Sequence, residues 1–139
     1  MIDFTMNSTM TIELTCLAWA AILGLVHILV AGNVRTKQFG TKWNMGARDG
    51  ATPALNAFAE RLFRAQANFF ETFPLFVAAV LIVAVTQSFS VYSYWGSLLY
   101  LIARVVYFPL YAFGVPVVRT IVWLISMLGL LLVLVPTLF

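Results

Sequence analysis

The chain has 139 residues, 63% of them hydrophobic and 9% charged, with a mean hydropathy of +0.98. Soluble domains carry about 25% charged residues, so this composition excludes a water-soluble fold and reads as an integral membrane protein of one domain, residues 1–139. The net charge is +3, and six of the eight Lys/Arg fall between Arg35 and Arg64, flanking apolar segments. That placement suits the lipid bilayer and its headgroups as partner and argues against nucleic acid, which needs a solvated basic face with interleaved aromatics.

Four spans follow in chain order, each near the ~20 residues that cross ~30 Å of hydrocarbon. They run roughly Leu14–Asn33, Gln66–Thr86, Val91–Ala112 and Val117–Leu138. The N-terminal stretch carries Asp3 and no basic n-region, so the first apolar segment is expected to be a retained span. Glu13, at its outer end, is expected at the interface. Cys16 is read as a small hydrophobe, and it has no internal disulfide partner. His27 has no second ligand at metal spacing, so it is expected to be a neutral, hydrogen-bonded packing residue.

Between the first two spans lies the longest polar segment, Val34 to about Ala59, with Arg35, Lys37, Lys42, Trp43, Arg48 and Asp49. Gly40, Gly46, Gly50 and Pro53 break it, and Ala54–Arg64 is helix-compatible as an extension of the second span. The links near Gln87–Ser90 and Phe113–Pro116 are short, so neighbouring helices are antiparallel. The fold class is an all-α, up-down four-transmembrane-helix bundle. The basic first loop and Arg119 should face the cytoplasm. Pro74, Pro109 and Pro136 are read as helix kinks.

Two polar stripes interrupt this apolar pattern. On a helix Glu60, Arg64, Asn68 and Glu71 fall within about 80° of one another. Tyr100, Arg104, Tyr107 and Tyr111 fall within about 60° on the third span. Arg104 lies roughly 15 Å deep and Glu71 roughly 10 Å, at 1.5 Å per residue, so these two are expected to pair or to share a ligand. A charge near a span centre costs roughly 2.5–3.5 kcal/mol on insertion scales. Interfacial anchoring accounts for Arg61, Arg119, Trp43 and Tyr111, but not for Arg104, Asn68 and Glu71 together at depth. A purely structural ion pair competes with a polar pocket for a charged, peptide-like ligand, and the pocket is the favoured reading.

At these residues the sequence resembles the MAPEG family, the membrane-associated proteins in eicosanoid and glutathione metabolism. The stretch Glu60-Arg61-x-x-Arg64-Ala65-Gln66-x-Asn68-x-x-Glu71, then Phe73-Pro74-Leu75-Phe76, is similar to the second helix of its leukotriene-C synthase branch. The segment Arg104-Val105-Val106-Tyr107-Phe108-x-x-Tyr111 is similar to the third helix, and Arg119-Thr120 to the pair that opens the fourth. The Arg119 match needs a one-residue gap. Gln66, Thr72 and Trp123 differ from the His or Tyr found in particular branches, and Arg48-Asp49 is more like bacterial members. For a bacterial chain the membrane would be the inner one.

The resemblance implies a homotrimer with glutathione held between neighbouring subunits near the cytoplasmic face. Arg64, Asn68, Glu71, Tyr107 and Tyr111 would grip it, with Gln66 a weaker contributor. Arg35 would come from the adjacent subunit, and Arg104 would brace the pocket. Arg119 would stabilise the thiolate, with Thr120 a hydroxyl donor, for attack on a lipophilic small-molecule substrate. The residue types suit that chemistry, because guanidinium forks match carboxylates and a nearby Arg lowers a thiol pKa. The implied function is a glutathione transferase, with peroxidase activity toward lipid hydroperoxides as a companion. The alternative is a non-catalytic lipid- or glutathione-binding scaffold, and the presence of both Arg64 and Glu71 favours the enzyme. An exporter is disfavoured, since the spans offer no broken-helix pair.

Overall fold

A computed structural model describes residues 10–139; Asp3 and the rest of the N-terminal stretch lie outside the described residues. The elements are α1 (Ile12–Phe39), α2 (Thr41–Met45), α3 (Ala57–Thr86), α4 (Val91–Ala112) and α5 (Val118–Leu138). The third and fourth spans start and stop within a residue of expectation. The first and second are longer, because their polar ends continue as helix beyond the apolar stretch. The short helix α2 within the polar loop was not foreseen.

Local signals set the ends. Thr11 accepts from the Leu14 amide at 3.3 Å and caps α1, which ends at Gly40 with φ 96°. Asn56 accepts from the Ala59 amide at 2.8 Å and opens α3. Ser90 and Ser93 form a reciprocal capping box on α4. Gln38 donates to the Ala54 carbonyl and accepts from the Asn56 amide, which ties the return of the loop to the end of α1. Arg61 Nε donates to the Ala112 carbonyl at 2.8 Å, placing a cation at the C-terminus of α4, where the helix dipole favours one. Pro74, Pro109 and Pro136 all lie inside continuous helices.

The four long helices form an up-down bundle. Packed seams join α4 to α5, α1 to α3 and to α4, and α3 to α4 and to α5, so α1 and α5 sit on opposite sides. Each long helix is apolar enough to cross a membrane, and large apolar side chains such as Leu29, Val85 and Leu131 point outward. The protein is an integral, multi-pass membrane protein. We call the end carrying α2 the loop end, and the end carrying Ile12 and Leu138 the termini end.

Two apolar clusters fill the bundle. The larger, near the termini end, holds Cys16, Ala20, Phe76, Ala79, Val80, Val83, Tyr100, Leu130 and Val133. A smaller one at the loop end holds Ala31, Leu62 and Ala112. Between them lies a layer of buried polar residues: His27, Thr72 and Arg104.

Two expectations need correction. Glu13 is not left at an open interface: it is 3% exposed, and its carboxylate accepts from Ser93 Oγ at 2.6 Å. The cause is that α1 and α4 run parallel, so their first turns meet. His27 is buried as expected, but neither ring nitrogen has a hydrogen-bond partner among the described residues. Its ring packs on Phe69 and Phe108, at centroid distances of 5.0 and 4.0 Å.

Candidate functional site

The polar layer opens toward the loop end into a cavity of about 250 Å³ lined by Asn68, Tyr107, Tyr111, Arg119, Thr120 and Trp123. Three helices build it. Asn68 comes from the stripe of α3, Tyr107 and Tyr111 from one face of α4, and Arg119, Thr120 and Trp123 from the first turns of α5. Trp123 was not among the expected site residues. Its signal was the spacing: Thr120 and Trp123 are three apart on a helix and so share a face.

Arg119 is placed by the turn before it. Val117 has φ 54° and ψ −63°, a conformation that β-branched residues rarely adopt. Such strain persists only where the surroundings over-determine it, and it concentrates at functional sites. The turn swings α5 so that the Arg119 guanidinium lies over the Tyr111 ring, 4.4 Å from its centroid. No side chain caps the start of α5. The Val118 amide is taken by the Pro116 carbonyl and the Ile121 amide by that of Val117. That leaves the Arg119 and Thr120 amides, beside the Arg119 cation at the cavity wall, as the positive end of the helix, and such an end favours an anion.

Arg104 stands behind the cavity, 1% exposed. Its Nη2 donates to Asn68 Oδ1 at 2.9 Å, and its guanidinium lies 4.5 Å from the Tyr107 ring centroid and 5.6 Å from that of Phe69. Nε and Nη1 have no hydrogen-bond partner among the described residues. The expected Arg104–Glu71 ion pair is not formed; the salt bridge among the described residues is Arg64–Glu60, at 3.9 Å. The register of α3 against α4 explains the switch. It turns Asn68 toward Arg104, while Glu71, three residues on, is exposed on the flank. Through Asn68, Arg104 orients the cavity wall without lining it.

Arg64 shares that exposed flank with Glu60 and Glu71, and its side chain is 58% exposed. Gln66 is half-buried, and its Oε1 has no partner among the described residues. Arg35 stands apart from the cavity, with its guanidinium 4.8 Å from the Phe63 ring centroid and 5.6 Å from that of Trp43. Within one chain the structure thus brings together Asn68, Tyr107, Tyr111, Arg119 and Thr120, with Arg104 directly behind. Arg64 and Glu71 are exposed on the flank of α3 and, like Arg35 and Gln66, do not line the cavity.

A four-span helical bundle with an anion-ready polar cavity set into its membrane helices is the class these features define. The MAPEG family profile matches residues 16–139, nearly the whole length, and the chain belongs to the MAPEG family. Membership places it among membrane proteins of glutathione-related transferase, peroxidase or related function. The curated proteins and solved structures compared with the chain include no match.

Proposed function

We propose that the protein is a membrane-bound glutathione transferase that activates the glutathione thiol for attack on a lipophilic electrophile. The observation that carries this reading is the convergence of Arg119 and the uncapped start of α5 on a cavity walled by Asn68, Tyr107 and Tyr111. Glutathione has two carboxylates, an ammonium group and a thiol. Asn68 and the tyrosine hydroxyls hydrogen-bond its amides and carboxylates, Arg64 takes a carboxylate, and Glu71 takes the ammonium group. At Arg119 the thiol gives up its proton to solvent, and the sulfur stays as a thiolate held by the guanidinium and the Thr120 hydroxyl. A sulfur electron pair then forms a C–S bond to the electrophilic carbon, and the leaving group departs with its bonding pair.

The cavity of one chain is smaller than the roughly 300–1,000 Å³ usual for small-molecule sites. The charged flank of Arg64 and Glu71 is uncovered in one chain, although exposed charge within a span is costly. Both facts support a site completed by a neighbouring subunit, in a homotrimer where Arg35 and Gln66 reach the ligand across the interface. The electrophile arrives laterally from the lipid, and the basic loop faces the cytoplasm.

The test is calorimetric titration of glutathione into the detergent-purified protein, with Arg64→Ala and Glu71→Gln alongside. Micromolar to millimolar binding, lost in both variants, is the expected result. Absence of binding to the wild-type protein overturns the proposal. Binding without turnover of any electrophile leaves a glutathione-binding scaffold instead.

A further inference from the structure

Arg61 has the sequence position of an interfacial anchor, yet its side chain turns back into the bundle. It is half-buried, stands outside the cavity lining, and commits Nε to the Ala112 carbonyl at 2.8 Å. The way α4 ends explains why. The Val115 amide donates to the Leu110 carbonyl at 2.9 Å and the Gly114 amide to the Tyr111 carbonyl at 3.0 Å, with Gly114 at φ 69°. This is a Schellman motif, which satisfies two of the last carbonyls of the helix and leaves that of Ala112 without a partner. Arg61 supplies the missing donor. Its Cδ and Nε also lie 3.4 Å from where a Cβ on Gly114 would stand, so the side chain packs against the turn it caps.

This bond is one of three that run in register along α3 and α4: Arg61 to Ala112, Asn68 to Arg104 and Thr72 to Tyr100. From Arg61 to Thr72 the chain rises eleven positions on α3, and from Ala112 to Tyr100 it falls twelve on α4. At 1.5 Å per residue these are matched lengths of roughly 17 and 18 Å, as one antiparallel register requires. Tyr107 and Tyr111 fall between the Arg61 bond and the Asn68 bond, so the cavity-lining face of α4 is held at both ends.

Only residues 115–117 separate the end of this turn from α5. Over so short a link, the place where α4 stops sets where α5 starts. Val117 is the centre of a γ-turn, with φ 54° and ψ −63°, in which the Val118 amide bonds the Pro116 carbonyl. This form of γ-turn is rare and strained, and such strain persists only while its flanks are held. On one flank Arg61 holds Ala112, and on the other Arg119 lies over Tyr111.

We propose that Arg61 is a positioning residue: by fixing the end of α4 it keeps the strained turn at Val117 in place and the Arg119 guanidinium over Tyr111 at the cavity. The inference rests on the reading of Arg119 as the group that holds the glutathione thiolate. Three variants separate donor from charge. In Arg61→Gln the amide nitrogen stands as many bonds from the backbone as Nε does, so the donor is kept and the charge removed. Arg61→Lys keeps the charge and puts a methylene at that place. Arg61→Ala removes both.

Hydrogen–deuterium exchange in detergent should quicken about tenfold at the Val115, Val118 and Ile121 amides in Arg61→Lys and Arg61→Ala, and stay near wild type in Arg61→Gln. The ultraviolet absorbance of bound thiolate, titrated against pH, should place the glutathione pKa about one unit higher in the same two variants. That is about tenfold less thiolate at a pH below the pKa, with glutathione affinity within about threefold of wild type. Unchanged exchange in Arg61→Lys and Arg61→Ala overturns the brace. So does protection that follows the charge, kept in Arg61→Lys and lost in Arg61→Gln. Altered exchange with an unaltered thiol pKa would reduce Arg61 to a helix cap, which also overturns the proposal. A wild-type protein that ionises no thiol defeats the transferase reading instead, and the exchange pattern alone then decides whether Arg61 places Arg119. Should Arg61→Ala not fold, Arg61→Lys and Arg61→Gln carry the comparison.

Discussion

The two ends of the bundle are built on opposite principles. Toward the termini end, the α4–α5 seam is closed by glycines on both sides. A Cβ on Gly96 would come within 2.6 Å of the Gly129 carbonyl oxygen, and one on Gly129 within 2.7 Å of the Tyr100 amide. Backbones that approach so closely gain dispersion contacts that lipid-facing helices cannot obtain from the hydrophobic effect. Beside them Phe76 stacks on Tyr100 at 4.1 Å, and the Tyr100 hydroxyl bonds Thr72 Oγ1 at 2.9 Å. Toward the loop end Arg104, His27 and Trp123 all bear buried nitrogens without partners among the described residues. Buried polar groups in native proteins are usually satisfied. Ser97 Oγ at the seam also has no partner among the described residues, but the unpartnered nitrogens of Arg104 and Trp123 stand at or directly behind the cavity. One end holds the bundle together, and the other keeps polar groups ready.

This contrast can be broken first at the seam. Gly96→Leu should yield no folded protein, because the clash is with backbone that no rotamer change can relieve, and overpacking already costs about 1–3 kcal/mol where side chains can shift. Gly32→Ala, in open space, should leave thermal stability within about 1 kcal/mol of wild type. Circular-dichroism melts in detergent distinguish the pair, and equal losses would dissolve the distinction between the packed seam and the open face of α1.

The polar layer is the next place to press. Asn68→Leu removes the sole hydrogen-bond partner of Arg104 among the described residues and should destabilise by about 3–5 kcal/mol, the cost of orphaning a buried charge. The double variant Asn68→Leu with Arg104→Met should recover most of that loss, and a double-mutant cycle of denaturant or thermal unfolding reads the coupling. Additive effects would mean the contact carries no coupling energy.

At the cavity, Arg119→Ala should lower the turnover of glutathione with a dinitrohalobenzene by about 100-fold, equivalent to two pK units of thiol acidity. Stability should stay near wild type, and unchanged turnover would remove Arg119 from the chemistry. His27→Phe is the smallest change. Because neither ring nitrogen has a partner among the described residues, an apolar ring of similar shape should be neutral or slightly stabilising, within about 1 kcal/mol by thermal melt. A loss above 3 kcal/mol would reveal a partner for the imidazole.

The sequence alone determined what depends on one helix at a time. Hydropathy located the four spans, and short links made neighbours antiparallel. The 3.6-residue period put Glu60, Arg64, Asn68 and Glu71 on one stripe, and Tyr107 and Tyr111 on another. It could not say which member of one stripe meets which member of the next. Rotation and axial register between helices are set by packing many side chains at once, and these decided that Arg104 bonds Asn68 while Glu71 turns outward. Tertiary structure alone likewise buried Glu13 against Ser93, eighty positions away, and brought the backbones together at Gly96 and Gly129. It also added Trp123 to the cavity through the turn at Val117, and stacked Arg35 on Phe63 and Trp43, away from the cavity. Periodicity records which face of a helix is polar; only the packed bundle records what that face touches.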